Sequence, residues 1–318
     1  MSRRPDDQRQ QRKTNARPDG RPTGRRTGNA TPPQTAAPAR RGGRERGETH
    51  WGNVADWYDQ LVGDRGSEYH QHVIIPGVLR LLGLTGTAGA ERAPRLRLLD
   101  LACGQGVLCR RLAEAGCDVT GVDASPELLA AARRRNEHDR LPLDYVLADA
   151  TKLVDEGGQL QSGLAPAAYD AVTIILSIQN ITPLSPVWQG ARALLKPGGS
   201  LIIVMMHPCF RVPKQSDWHW DDRSATQSRL VSRYLSSDKI AILTHPGDAA
   251  HGVDETFTTH FHRPLQAYIN TLGNAGLLID HIEEWTSHKT DQAGPKKEAI
   301  DRARKEIPLF LALRARKV

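Results

Sequence analysis

Three acidic residues, Asp100, Asp123 and Asp149, each close an apolar run that reads as a strand. After the first comes "LLDLACGQGVL", in which the acid is followed by Gly104 and Gly106, with one residue between them. Glycines in such a turn let backbone approach a ligand with no side chain in the way. Asp123 follows Gly104 by 19 residues, and a carboxylate ending a second strand can accept from both hydroxyls of a ribose. Asp149, in "LADAT", is suited to accept from the exocyclic amine of adenine. The set reads as a site for adenosine. A dinucleotide fingerprint wants a third glycine three residues after the second, and that position is Cys109. Asp100 at the mouth of the turn is also awkward for a pyrophosphate and suits a ligand with a positive sulfonium and ammonium. A GxG by itself closes many strand–helix turns with no ligand. The three strand-end acids at these spacings make the pattern specific.

The elements that must position these groups alternate. Strands are expected at Leu96–Leu101, Asp118–Val122, Leu143–Leu147, Asp170–Leu176 and Ser200–Met206, with helices at Val107–Ala115, Ser125–Asn136 and Pro186–Leu195. Ser125-Pro126-Glu127 supplies a cap residue and an early proline for the second helix. Strands alternating with helices of this length imply βαβ units, right-handed crossovers and a doubly wound, mostly parallel sheet with ligands outside the strand C-termini. Ahead of them, Trp51, Val54, Ala55, Tyr58 and Val62 fall at helical spacing. The rhythm breaks between His207 and His262, which reads as an insertion over one rim of the sheet. It resumes with a helix at Pro264–Ala275, a strand at Leu278–Trp285, a helix at Lys296–Lys305 and the apolar "IPLFLALRAR".

The net charge of +7 over 318 residues misleads as a single figure. Residues 1–47 hold 13 Lys/Arg against 4 Asp/Glu, a net +9, and the other 271 residues hold 30 against 32, a net −2. The first 47 residues, rich in Arg, Pro, Gly, Thr and Gln, lack the apolar groups to offset chain entropy and are expected to be a disordered basic tail. The tail reads either as a weak polyanion contact, through Arg41–Gly43 and its paired arginines, or as solvated chain of biased composition. The domain of residues 48–318 has no basic excess, which speaks against a nucleic-acid footprint on it. No apolar run reaches the roughly 20 residues that cross a bilayer. The four cysteines form no CxxC pair, and the six histidines of the insertion show no HxxxH or HxxE spacing. Neither a metal nor a disulfide framework is expected, and the cytoplasm is the default compartment.

The segments resemble those of class I S-adenosylmethionine (SAM)-dependent methyltransferases of the small-molecule type that includes the ubiquinone/menaquinone methylases. "LLDLACGQG" resembles the family's glycine motif, "GVDASPELL" its ribose-binding acid and "LADAT" its adenine-side acid. "YDAVTIILSIQNI" and "ARALLKPGGSLII" resemble the fourth strand and the turn into the fifth. Ala102 departs from the pattern, since many members have glycine there. The resemblance, over Trp51 to Val318, implies a Rossmann-like methyltransferase fold: a seven-stranded sheet whose last strand is antiparallel. It implies SAM as cofactor, with Asp100, Ala102 and the Gly104/Gly106 backbone on the methionine part. It also implies Asp123 with Ala124 on the ribose, Asp149 with Ala150 on the adenine, and Ser177 near the methyl group. Tyr58 either closes over the methionine end or simply packs.

The methyl acceptor would lie over the ends of the fourth and fifth strands. His207, first polar residue past an apolar run, reads as a base or acceptor-orienting donor, or as a histidine bonded to backbone to fix the strand exit. Gln179 and Asn180 offer amides. The stretch lacks the Asn-Pro-Pro-aromatic sequence that the family uses on nucleobase amines, which disfavours a DNA or RNA amino-methylase. Arg211 and Trp218 would wall the pocket or belong to a small core of the insertion. Arg263 would pair with an acidic acceptor or with an acid of the insertion. The expectation is methyl transfer from SAM to a small molecule, with the 207–262 insertion as a substrate cap. The alternatives are an RNA methyltransferase that recruits substrate through the tail, and a SAM-binding protein with no catalysis.

Overall fold

The computed structural model describes residues 51–85, 95–155, 157–160, 163–243 and 257–318. The tail expected at 1–47 and part of the insertion (244–256) lie outside the described residues. Among the described residues a seven-stranded sheet is built from β1 (Arg97–Leu101), β2 (Asp118–Asp123), β3 (Leu143–Leu147), β4 (Tyr169–Ile175), β5 (Leu195–Met206), β10 (Leu277–Trp285) and β11 (Phe310–Lys317). Its order is β10-β11-β5-β4-β1-β2-β3. β11 is antiparallel to both neighbours, and β1 to β5 run parallel. β10 therefore runs with the parallel set. Strand order reverses between β1 and β4, and the crevice that opens at such a reversal is where a doubly wound sheet binds its ligand.

Consecutive strand residues point to opposite faces, and both faces are covered. In β5, Leu201, Ile203 and Met205 enter one core with Trp188 and Leu272. Ile202 and Val204 enter the other, with Ile74, Leu112 and Phe310. The first core lies under α5 (Leu184–Leu194) and α6 (Leu265–Asn274); the second lies under α2 (Ile75–Leu81) and α3 (Val107–Glu114). Trp188 is fully enclosed and its indole N–H donates to the Thr271 hydroxyl at 3.0 Å, joining α5 to α6. α4 (Pro126–Asp139) starts as its sequence dictates: Ser125 accepts from the Leu128 N–H at 3.2 Å, and Pro126 opens the first turn.

Differences from the sequence reading are local. Trp51–Val54 form a 3-10 turn before α1 (Ala55–Val62). A π-helical turn, His70–Ile74, precedes α2, and nothing in the sequence reading assigned these elements. Lys196-Pro197-Gly198-Gly199, read as a turn before the fifth strand, forms the irregular start of β5, with a register shift against β4. The insertion carries two hairpins, β6–β7 (Ser216–Asp221, Thr226–Val231) and β8–β9 (Asp238–Leu243, Phe257–His262). The final helix, α7 (Lys297–Glu306), leads into β11. No helix among the described residues is long and apolar enough to cross a membrane.

Candidate active site

The β1–α3 turn forms the floor of the site. Ala102, Gly104 and Gly106 all take positive φ, at 58°, 56° and 77°. Ala102 holds a left-handed conformation that L residues adopt at a cost. A Cβ at Gly106 would stand 2.3 Å from the Tyr145 hydroxyl, so only glycine fits without displacing the tyrosine. Below this turn Asp100 is 3% exposed. It accepts from the Thr173 hydroxyl at 2.7 Å across the β1–β4 step and from the Cys109 thiol at 3.5 Å. Burial pushes its carboxyl up to about 7, against those two donors.

Asp123 ends β2 and is the hinge of the site. One carboxylate oxygen accepts from the Gly104 N–H at 2.8 Å, and the other from the Ser125 N–H at 2.8 Å. It thus fixes the glycine turn and the entry to α4 together. Burial raises its carboxyl, opposed by the N–H groups of Ser125, Gly104 and Ala124. A carboxylate has about four acceptor sites, so each oxygen keeps one for a ligand hydroxyl. Asp149, after β3, accepts from both the N–H and the hydroxyl of Thr151 at 2.8 Å through one oxygen. The other oxygen faces only the exposed Lys152 amine at 3.5 Å. Burial acts to raise the Asp149 carboxyl, but Thr151 and Lys152 outweigh it and hold it low.

Asp123, Asp149, Ala102 and Gly104 line one open cleft whose enclosed part is about 120 Å³. Leu128, Ala148, Asp149 and Ala150 form an apolar slot with one acceptor at its edge. Asp123, Ala124, Ala102 and Gly104 form the middle, under Trp51 and Tyr58. Ile175 to Ser177, with Asn180 and Ile181, close the far end. Leu176 there takes φ 53°, a strained value for a branched residue, and the Ser177 hydroxyl is buried without a partner. Tyr58 stands edge-on to Trp51, with ring centroids 5.7 Å apart. Burial, then Asp123 and Asp100, push its phenol up to about 12, so it stays a neutral donor. Lys, Arg and His are missing from the described lining, while two carboxylates are in it. That electrostatics disfavours a pyrophosphate and favours a cationic nucleoside.

α1 roofs the cleft through Tyr58 and is tied down. Arg135 on α4 forks onto Asp59 at 2.5 and 2.9 Å and reaches Asp64 at 2.8 Å. Arg110 on α3, 4% exposed, donates to the backbone oxygens of Gln105 at 2.8 Å and Asp64 at 2.7 Å. The Gln105 amide donates to the Gly63 oxygen at 3.2 Å. Roof and glycine turn are thus one hydrogen-bonded unit. The sequence reading missed Arg110, Gln105 and Arg135. Buried arginines look like solvated helix residues in one dimension.

Several sequence expectations change. Asp100 sits beneath the turn and Gly106 closes it against Tyr145, and neither lines the cleft. His207, expected as a base, is 2% exposed and outside the cleft lining. Its Nδ1 accepts from the Cys209 N–H at 3.2 Å and its Nε2 donates to Glu284 at 2.7 Å. Both ring nitrogens are committed, and burial depresses its basicity despite Glu284. Trp218 is also outside, sandwiched between Arg211 and Arg229 at 5.0 and 5.2 Å. The first hairpin leans on the start of α7, with the Lys296 amine 4.4 Å from the Trp220 ring. The second hairpin reaches the site: Asn180 donates to the Thr259 oxygen at 2.7 Å and Arg263 to the Ile181 oxygen at 2.9 Å. Gln179 lies beside the cleft, its amide N–H on the Leu176 oxygen at 3.0 Å. After β10, Lys289 pairs with Glu68 at 2.6 Å, and the His288 ring meets Tyr69 edge-on and His72 at a tilt. Among the described residues no group of three or more His, Cys, Asp or Glu is placed to hold a metal.

Comparison with known proteins agrees with this geometry. Residues 99–203 match the family described as "Methyltransferase domain". The ubiquinone biosynthesis O-methyltransferase of Xanthomonas campestris pv. campestris is 31% identical over 110 residues, 35% of this chain and 43% of that one. The protein of the same name from Bordetella pertussis is 31% identical over 170 residues, 53% of this chain and 64% of that one. The matches thus span less than two thirds of these relatives' length. A SAM-dependent methyltransferase from Mesorhizobium loti superposes with a TM-score of 0.53 at 25% identity, over 76% of this chain and 99% of that one. The [4+2]-cyclase SpnF superposes with a TM-score of 0.52 at 17% identity, over 84% and 93% of the two chains. That likeness shows the fold alone, and fold alone does not decide chemistry. Residues 99–203 thus resemble a methyltransferase domain, and the fold is similar to that of a SAM-dependent methyltransferase.

Proposed function

We propose that this protein transfers a methyl group from SAM to a small-molecule acceptor. The observation that carries the reading is the charge of the cleft: Asp123 and Asp149 line it, Asp100 lies just below, and the described lining has no basic side chain. Bound SAM would supply an activated methyl, whose bond to sulfur breaks as its bond to the acceptor forms. The protein's own work is orientation and exclusion of water. Asp123 would hold the ribose hydroxyls and Asp149 the adenine amine, with Leu128, Ala148 and Ala150 around the ring. The Gly104 backbone, Tyr58 and Trp51 would enclose the methionine part, and Ser177 would mark the methyl end. Asp100 acts through the turn it supports. The acceptor would enter between the 177–181 segment and the β8–β9 hairpin. A base is needed only if the acceptor must lose a proton.

The tail, residues 1–47, would add a weak polyanion contact, and we place the protein in the cytoplasm. The test is to incubate the full chain with methyl-labelled SAM and a metabolite extract, then separate small molecules from RNA. Label in the small-molecule fraction supports the reading. Label in RNA, lost when residues 1–47 are deleted, supports the RNA alternative. SAM binding with no labelled product supports the non-catalytic one.

A further inference from the structure

Five of the eight buried side-chain polar atoms without a partner, among the described residues, lie on the chain segments leaving β4, β5 and β9. They are the Ser177 hydroxyl, the Gln179 and Gln215 carbonyls, Arg211 Nε and Arg263 Nη1. Buried polar groups are nearly always paired, and the orphans of the 177–181 segment lie beside the β9 exit, joined to it through Asn180–Thr259 and Arg263–Ile181, so this join marks where a polar molecule is received. Arg263 is the informative member. It follows β9, and its Nη2 grips the oxygen of Ile181, a residue of the cleft wall. Its guanidinium stacks on Phe261 at 5.3 Å. No carboxylate pairs with it among the described residues. Two of its neighbours, Tyr268 and His260, are neutral. Burial raises the Tyr268 phenol against the pull of Arg263. Burial, then His262 and Arg263, push His260 down to about 4, so that ring is uncharged at pH 7. His262 is already bonded to the Tyr234 oxygen at 2.8 Å. The result, among the described residues, is a positive charge with no carboxylate partner, beside an otherwise acidic cleft.

We propose that the methyl acceptor carries a carboxylate and that Arg263 selects it; the inference rests on the methyltransferase reading above. The planar guanidinium matches a carboxylate in charge and in fork geometry. The carboxylate is a handle and not the attacking group, because pairing with a guanidinium stabilises the anion and weakens it as a nucleophile. The methylated atom is therefore elsewhere on the acceptor, and the product keeps its negative charge. Ser177 and Gln179 are then left to meet the polar groups nearer that atom.

The experiment has two arms on the full chain. In the first, SAM binding is measured by calorimetry for the wild type and for Arg263→Gln. In the second, both react with labelled SAM and a metabolite extract, and the products are passed over an anion exchanger at pH 7 and then exposed to mild alkali. The inference expects equal SAM affinity in the two proteins. It expects a labelled product that is retained on the exchanger and stable to alkali, formed at least about tenfold more slowly by Arg263→Gln. Arg263→Lys should recover part of that rate. A flow-through product, or label released by alkali as from a methyl ester, overturns it. So does an undiminished rate in Arg263→Gln, or a wild type that binds SAM and labels nothing. SAM binding weakened tenfold or more in Arg263→Gln also overturns it, since the guanidinium would then serve the cofactor's own carboxylate. A wild type that does not bind SAM defeats the underlying methyltransferase reading instead.

Discussion

Gly106→Ala tests how the glycine turn is held. The residue has φ 77°, which costs an L side chain about 1–2 kcal/mol. The new methyl would also lie 2.3 Å from the Tyr145 hydroxyl and 3.0 Å from the ring carbon that bears it. The same edge of the ring already lies against Gly121, where a Cβ would stand 2.7 Å from it. Overpacking of that kind costs about 1–3 kcal/mol, so the total loss should be about 2–5 kcal/mol. Tyr145→Phe alone should be neutral or slightly stabilising, because its hydroxyl is buried with no partner. In the double variant the overlap shrinks and the backbone strain stays, so about 1–3 kcal/mol should be recovered. A double-mutant cycle by urea denaturation reads these numbers directly. A Gly106→Ala cost below about 0.5 kcal/mol, or no recovery with Tyr145→Phe, would refute the reasoning.

Asp100 makes stability depend on pH with a definite sign. Its folded value of about 7 lies above the ordinary 3.8, so the folded state holds a proton that the unfolded chain gives up. Its contribution is complete below about pH 4 and is lost as pH rises to about 7, by up to roughly 4 kcal/mol. Relative to Asp100→Asn, wild-type stability by urea denaturation should fall between pH 5 and 7; parallel profiles would contradict this. Arg135→Met should cost about 1–3 kcal/mol and speed amide exchange in α1 more than in the sheet, while unchanged exchange there would mean the roof is held otherwise. His207→Gln should leave methyl transfer within about threefold and lower stability by about 1–2 kcal/mol, whereas a hundredfold loss of turnover would return His207 to the chemistry.

The sequence is most legible where function depends on backbone and strand order. The alternating elements placed Asp100, Asp123 and Asp149 at three strand ends, and β1, β2 and β3 end close to them. The long apolar runs of β4 and β5 are buried on both faces, and this produces a signal that needs no partner information. What could not be read depends on tertiary contacts. His207 looks like a catalytic residue in one dimension because it is polar and follows a strand. Only the folded chain shows Glu284, 77 residues away, occupying its ring nitrogen. Trp218 is decided by two arginines that converge on it from different segments. The hairpins of the insertion lack the tight Asn-Gly or Asp-Gly turns that announce a β-ribbon. The roof latch pairs Arg135 with acids 71 and 76 residues earlier, a separation that periodicity cannot resolve.

The most direct measurement is calorimetric titration of the full chain with SAM, wild type beside Asp123→Ala. The wild type should bind at one saturable site. Losing the ribose contacts and the anchor of Gly104 and Ser125 should weaken SAM by about 2–4 kcal/mol, roughly 30- to 800-fold. Circular dichroism should show the variant still folded. No binding by the wild type, or equal affinity in a folded Asp123→Ala, would contradict the account.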